Sequence, residues 1–165
     1  MNKKEQSFLA SYDPEKYRNP SVTVDIAILT IIKGEEKILL IKRRNHPFKN
    51  CRAIPGGFLD LTKNETLEEA AYRELVEETS LSKEDLDGVA LKQFRAYGDP
   101  GRDPRTRVVS ILFYAAVPYS EKLMGAVEAR DDAKEAKWFS MKKLPKKMAF
   151  DHLKMLEELR AYGNL

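Results

Sequence analysis

The sequence contains little that could staple, anchor or polarise it. Its 165 residues include one cysteine, Cys51, so no disulfide can close within the chain and a disulfide-stapled scaffold is excluded. Nothing beside Cys51 marks a thiolate site, and a free structural thiol in a reducing compartment is expected. Of the two histidines, His46 has no second histidine or cysteine at metal-ligand spacing and reads as a loop residue beside Pro47. No apolar run is long enough to span a bilayer, and residues 1–20 have no apolar core of signal-peptide length, so a cytoplasmic protein is expected. An excess of one charge is missing too: 29 Lys and Arg face 26 Asp and Glu, leaving +3. The one basic cluster, Lys142, Lys143, Lys146 and Lys147, reads as a solvated loop. Neither nucleic acid nor a membrane is expected as a partner.

What remains is an ordinary globular composition, 42% hydrophobic and 33% charged, at a length that buries a real core in one domain. Residues 1–20 are polar, carry Pro14 and Pro20, and read as a loosely structured N-terminal arm; residues 21–165 read as a single domain. Residues 22–32 are β-branched and form a long strand, 33–36 a hairpin turn, and 37–42 the return strand. A polar loop leads to an extended piece at 52–54. Strands are predicted at 89–97, at 108–117, the most hydrophobic run, and at 136–139. An amphipathic helix at 150–162 has Leu153, Leu156 and Leu159 at helical spacing and is most simply core packing. Strands interrupted by one helix and ended by another predict an α/β protein with a mixed sheet between helices.

The chain is organised around residues 54–81, IPGGFLDLTKNETLEEAAYRELVEETSL. A Gly56-Gly57 turn leads through a polar loop into a helix, which Thr66 is expected to cap by the Thr-x-x-Glu pattern with Glu69, Asn64 being the rival cap. At 100° per residue, Leu67, Ala70, Ala71, Leu75 and Leu81 form one apolar face. Glu74 and Glu78 project into the middle of that face and Glu77 lies on its border. No Lys or Arg shares the face, and half-buried carboxylates without a partner are costly, so a cation is expected to neutralise them. Oxygen donors favour a hard ion, Mg²⁺ or Mn²⁺. Arg73 is one turn from both Glu69 and Glu77 and is placed to hold a ligand carboxylate; Glu65, before the helix, supports the site from behind.

Residues 98–107, with two Gly and two Pro, cannot be regular and hold Arg102, Arg105 and Arg107. Such a loop is either a surface turn with local Asp–Arg pairs or an anion-binding loop whose Arg forks match phosphate. Residues 128–132 form an acidic loop.

Gly57, Glu65, Arg73-Glu74-Leu75-Val76-Glu77-Glu78 and Leu81 together resemble the signature box of the Nudix hydrolases. Two departures stand out: seven residues separate Gly57 from Glu65, a longer interval than usual, and Ser80 stands where the box normally has Gly. The opening PSVTVDIAIL and the PGGF turn are similar to a subgroup that includes ADP-ribose pyrophosphatases and Nudix-type transcription regulators, and GDPGRDPRTRVVS is similar to the pyrophosphatases' loop and strand. Asn50 and Arg52 depart from the Gly and Trp often found at their positions. The resemblance implies an α/β/α sandwich and metal-dependent hydrolysis of a nucleoside diphosphate linked to another group, here ADP-ribose to AMP and ribose 5-phosphate. It implies Glu74, Glu77, Glu78 and the Gly56 carbonyl as metal ligands, and a homodimer. Arg43 or Arg44, Arg102 and Arg105 are then expected on phosphate or ribose, and Phe94 and Tyr97 on adenine, with core packing the equal alternative for Phe94. The general base is either a box glutamate or one of Glu128, Asp131 and Asp132. Alternatives within the resemblance are a ligand-sensing module without efficient turnover, or a hydrolase of NADH, a sugar nucleotide or a nucleoside triphosphate. Only about 25 residues follow Trp138, too few for the DNA-binding winged helix of the regulators.

Overall fold

The computed structural model describes residues 2–163. Its centre is β1 (Ser21–Ile32), from Thr23 to Thr30 an unbroken buried run, as expected of a strand covered on both faces. One edge of β1 pairs in parallel with β6 (Val108–Ala116) from Ser21↔Val108 to Leu29↔Ala116. The other edge is shared: its first half takes β4 (Gly56–Phe58) through Thr23↔Phe58, Val24↔Gly57 and Asp25↔Gly56, its second half β2 (Glu35–Arg43) from Leu29↔Ile38. β2 carries β3 (Arg52–Ala53) and β7 (Ala133–Ser140), and β6 carries the edge strand β5 (Lys92–Tyr97), all antiparallel. The sheet is therefore mixed.

The period of two along β1 sorts its residues between two helices. Val24, Ile26 and Ile28 pack with Ala70, Ala71 and Leu75 of α2 (Leu67–Thr79). Ala27 and Leu29 pack with Met155, Leu156 and Leu159 of α4 (His152–Tyr162). This is an α/β/α sandwich, and the same parity sends Asp25 towards α4.

Several boundaries differ from the sequence reading for local reasons. Lys33 and Gly34 both have positive φ, 53° and 76°, the pair a two-residue hairpin turn requires, so β2 begins at Glu35 and the turn is shorter than expected. The arm read as loose contains a helix, α1 (Lys3–Ser11), closed by a capping box between Asn2 and Glu5, with none of its residues buried. A short helix, α3 (Glu121–Ala126), capped by Ser120, carries too few apolar residues to announce itself by period. β7 is longer than the four residues expected, because Ala133 packs inward against Ile41 and Cys51. No helix among the described residues is long and apolar enough to cross a membrane.

Candidate active site

α2 begins as its sequence dictates. Thr66 Oγ1 accepts from the Glu69 N–H at 3.2 Å and Glu69 Oε2 accepts from the Thr66 N–H at 2.7 Å, which satisfies two of the free donors of the first turn. The helix ends on Ser80 in the left-handed conformation, φ 64°. Ser80 Oγ donates to the Glu128 carbonyl at 3.0 Å, a tie that glycine could not make.

Glu78 is 4% exposed and accepts the Gly56 N–H at 2.8 Å. Burial pushes its carboxyl up to about 8, an effect that the Gly56 N–H and the Arg43 charge only partly offset. Burial also raises Glu74, against which Arg73 acts in the opposite direction. The Gly-Gly turn is shaped to these acids: a Cβ on Gly57 would overlap the Glu74 carboxylate, and one on Gly56 would overlap the Val24 carbonyl. At Gly56 only glycine permits the approach of β4 to the backbone of β1.

Arg73 gathers the remaining acids. Its Nε and Nη2 grip Glu65 at 2.8 and 2.6 Å, its Nη1 donates to Glu74 at 2.6 Å and to Glu77 at 3.0 Å, and Nη2 also donates to the Phe58 carbonyl at 3.0 Å. All the guanidinium donors are thus engaged within the protein, which raises its pKa through the Glu65 bonds above all and holds Glu65 below the usual carboxylate range. The sequence reading, which found no cation on the face of Glu74, is corrected here: Arg73 reaches round the helix to it. Glu69, the other expected partner of Arg73, is taken by the cap.

Glu74, Glu77 and Glu78 line a cavity of about 490 Å³ together with Arg43, Arg102, Arg105, Asp103, Asp131, Asp132, Phe58, Phe150, Asp25 and His152. Arg43 donates to the Pro47 carbonyl at 3.0 Å, and burial lowers its pKa. Arg102 is chelated by Asp151 at 2.6 and 2.9 Å, and Arg105 by Asp103 at 2.7 and 3.0 Å. His152 Nδ1 accepts the Ile54 N–H at 3.0 Å, so its other nitrogen faces Asp25 Oδ1, 3.5 Å away. Asp25 also accepts from the Ser110 hydroxyl. Burial lowers the His152 pKa, which keeps the ring neutral. Carboxylate oxygens and arginines lining one cavity suit a hard divalent cation and a phosphate ester. Among the described residues no three such side chains converge on one point; Glu74 and Glu77 are turned onto Arg73.

A NUDIX domain model matches residues 22–159. The chain belongs to the Nudix family. It is 45% identical over 157 residues to the ADP-ribose pyrophosphatase of Methanocaldococcus jannaschii, covering 92% of this chain and 82% of that protein. It is 34% identical to the ADPR responsive transcriptional repressor NtrR of Acinetobacter baylyi, of which it spans 61%. Among solved structures, the NUDIX domain of Shewanella oneidensis NrtR complexed with ADP ribose superposes with a TM-score of 0.80 at 31% identity, covering 98% of this chain and 99% of that one.

Of the residues singled out in the Nudix box and beyond, the cavity brings together Gly56, Arg73, Glu74, Glu77, Glu78, Arg43, Arg102, Arg105, Asp131 and Asp132. Glu65 lies behind Arg73. The others lie elsewhere. Arg44 bonds the Ala133 carbonyl. Phe94 packs edge-on against Tyr114 and Tyr162, and Tyr97 is core, so neither aromatic reaches the cavity. Glu128 is paired with Arg130 at 2.9 Å. Sequence reasoning missed Asp25, Phe58, Asp103, Phe150, Asp151 and His152. The signal for Asp25 was a charge inside an apolar strand; the two phenylalanines and His152 carried none, since their neighbours come from distant segments.

Proposed function

We propose that the protein hydrolyses ADP-ribose to AMP and ribose 5-phosphate with a divalent cation, Mg²⁺ or Mn²⁺. The observation that carries the reading is the gathering of Glu74, Glu77 and Glu78 with Arg43, Arg102 and Arg105 in one cavity, joined to 45% identity with an ADP-ribose pyrophosphatase. A cation held by the three carboxylates and the Gly56 carbonyl would neutralise the diphosphate and acidify the attacking water. The chain's own groups do the rest. Arg73 positions Glu74, Glu77 and Glu65 and, with its donors engaged, does not touch substrate. Arg43 presents a desolvated guanidinium to a phosphate oxygen. Asp131 or Asp132 takes the proton of the attacking water in this reading, since both border the cavity and Glu128 does not.

The buried thiol of Cys51 fits a cytoplasmic location, and exposed Phe8, Leu9 and Tyr12 on and beside α1 fit the homodimer that the resemblance implies. The division into an arm, 1–20, and one domain, 21–165, belongs to the same proposal.

A panel of ADP-ribose, NADH, a sugar nucleotide and nucleoside triphosphates with Mg²⁺ or Mn²⁺ tests the reading; AMP released from ADP-ribose is the expected result. A second reading has support in the 34% identity to an ADPR responsive repressor: a module that binds ADP-ribose and releases it intact. Tight binding with no turnover of any compound in the panel would replace the first reading by the second.

A further inference from the structure

α2 runs out at Thr79, and the carbonyls of its last turn need donors from outside the helix. The loop at residues 128–132 supplies them. Its Glu128 N–H donates to the Thr79 carbonyl at 2.9 Å and its Arg130 N–H to the Glu78 carbonyl at 3.4 Å. A third bond runs the other way, from the Ser80 hydroxyl to the Glu128 carbonyl at 3.0 Å. The side chains of Glu128 and Arg130 pair with each other at the surface, so the loop is attached to α2 by backbone and by Ser80. The same loop carries Asp131 and Asp132, both on the cavity. Its far side is held by residues 44 and 45: the Arg44 N–H donates to the Asp132 carbonyl and the Asn45 side-chain amide to the Asp132 carboxylate, both at 2.8 Å.

Two of the three bonds are backbone bonds that any residue at position 80 keeps. The third needs a side-chain donor on a residue that accepts the left-handed conformation, and serine at φ 64° provides it. Glycine reaches the same φ at no steric cost, and it leaves the Glu128 carbonyl without that donor. We propose that Ser80 is a positioning residue of the site: its hydroxyl latches the loop of Asp131 and Asp132 to the end of the helix that bears Glu78. One residue separates Ser80 from Glu78 in the chain, so the latch sets the spacing between an acid that would hold the cation and the acids offered to the attacking water. Proton transfer depends steeply on that spacing. A loop that drifts from the helix holds its carboxylates in reach of the water for less of the time. The proposal rests on the hydrolase reading for the proton transfer and on the hydrogen bonds alone for the latch.

Ser80→Gly removes the hydroxyl and keeps the helix ending, so the variant should fold as the wild type does. Losing one hydrogen bond corresponds to about two- to tenfold in an equilibrium. In hydrogen–deuterium exchange read by mass spectrometry, the amides of residues 128–132 are expected to exchange faster by that factor, and those of residues 70–75 in α2 to exchange as before. Steady-state kinetics with ADP-ribose and Mg²⁺ are expected to show kcat lowered by about two- to tenfold, with KM unchanged and the melting temperature little altered. Loop amides that exchange at the wild-type rate would overturn the latch. A wild-type kcat would overturn the positioning role. A fall in kcat that merely follows a lowered melting temperature would make Ser80 a structural residue and overturn that role as well. A wild type that releases no AMP from ADP-ribose refutes the hydrolase reading instead, and the exchange comparison still decides the latch.

Discussion

Glu78 shows how a single carboxyl can oppose the stability of the protein that needs it. Among the described residues its side chain bonds only the Gly56 N–H, and burial raises its pKa to about 8 from the ordinary 4.5. At a pH below the ordinary value it is protonated whether the chain is folded or not, and the stability of the neutral form is fully present. As pH rises through 8 the folded chain must carry a buried charge, and that stability is lost. The melting temperature of cation-free protein is therefore expected to fall between about pH 5 and pH 8. Glu78→Gln should flatten this dependence while abolishing hydrolysis. An identical pH profile in both proteins, measured by thermal melts with a chelator present, would contradict the assignment of Glu78.

At the scale of elements, the start of α4 connects parts of the site that are far apart in sequence. Phe150 touches Arg43 and Arg105, Asp151 chelates Arg102, and His152 receives the Ile54 N–H at the head of the Gly-Gly turn. The sequence reading of this helix as core packing holds for Met155, Leu156 and Leu159 and misses its first turn. Asparagine can offer an acceptor where the Nδ1 of His152 stands, and leucine cannot. His152→Asn is expected to keep kcat within a fewfold of wild type and His152→Leu to lower it by about tenfold or more, with KM little changed, because an unpaired buried N–H at the turn displaces the groups beside it. Steady-state kinetics on both variants check this; equal kcat in the two would refute the role.

Across the whole molecule, the two helix layers meet the sheet on opposite faces, and the cavity opens where β4 replaces β2 beside β1. The acids come from α2, Arg43 from the end of β2 and Arg102 and Arg105 from a loop, so a cation that binds the folded chain alone should stabilise all of it. At a hundredfold excess over its dissociation constant a cation adds about 2.7 kcal/mol, or roughly 5–10 °C in a domain of this size. Differential scanning calorimetry with Mn²⁺ should show this rise, and it should vanish when Glu74, Glu77 and Glu78 are all replaced by Gln. A rise that survives the triple replacement would place the cation elsewhere.

The signature helix was legible in the sequence because its information is local. The Thr66–Glu69 cap, the apolar face of Ala70, Ala71 and Leu75, and the intrusion of Glu74 and Glu78 into it all follow from the helical period, and the structure reproduces each of them. The strands near β1 were legible for the same reason, as runs of β-branched residues. What sequence could not decide was which loops face those acids. Arg44 and Arg43 are neighbours in the chain, yet only Arg43 enters the cavity. Phe94 and Tyr97 sit near the arginine loop but turn into the core, while Phe58 and Phe150, 92 residues apart by number, share one guanidinium. Asp25 and His152 meet because the strand's alternation points Asp25 at α4. Periodicity is a property of neighbouring residues and can be read from order alone. A pocket is a property of segments that only sheet register and helix packing bring together, and that is what the tertiary structure decided.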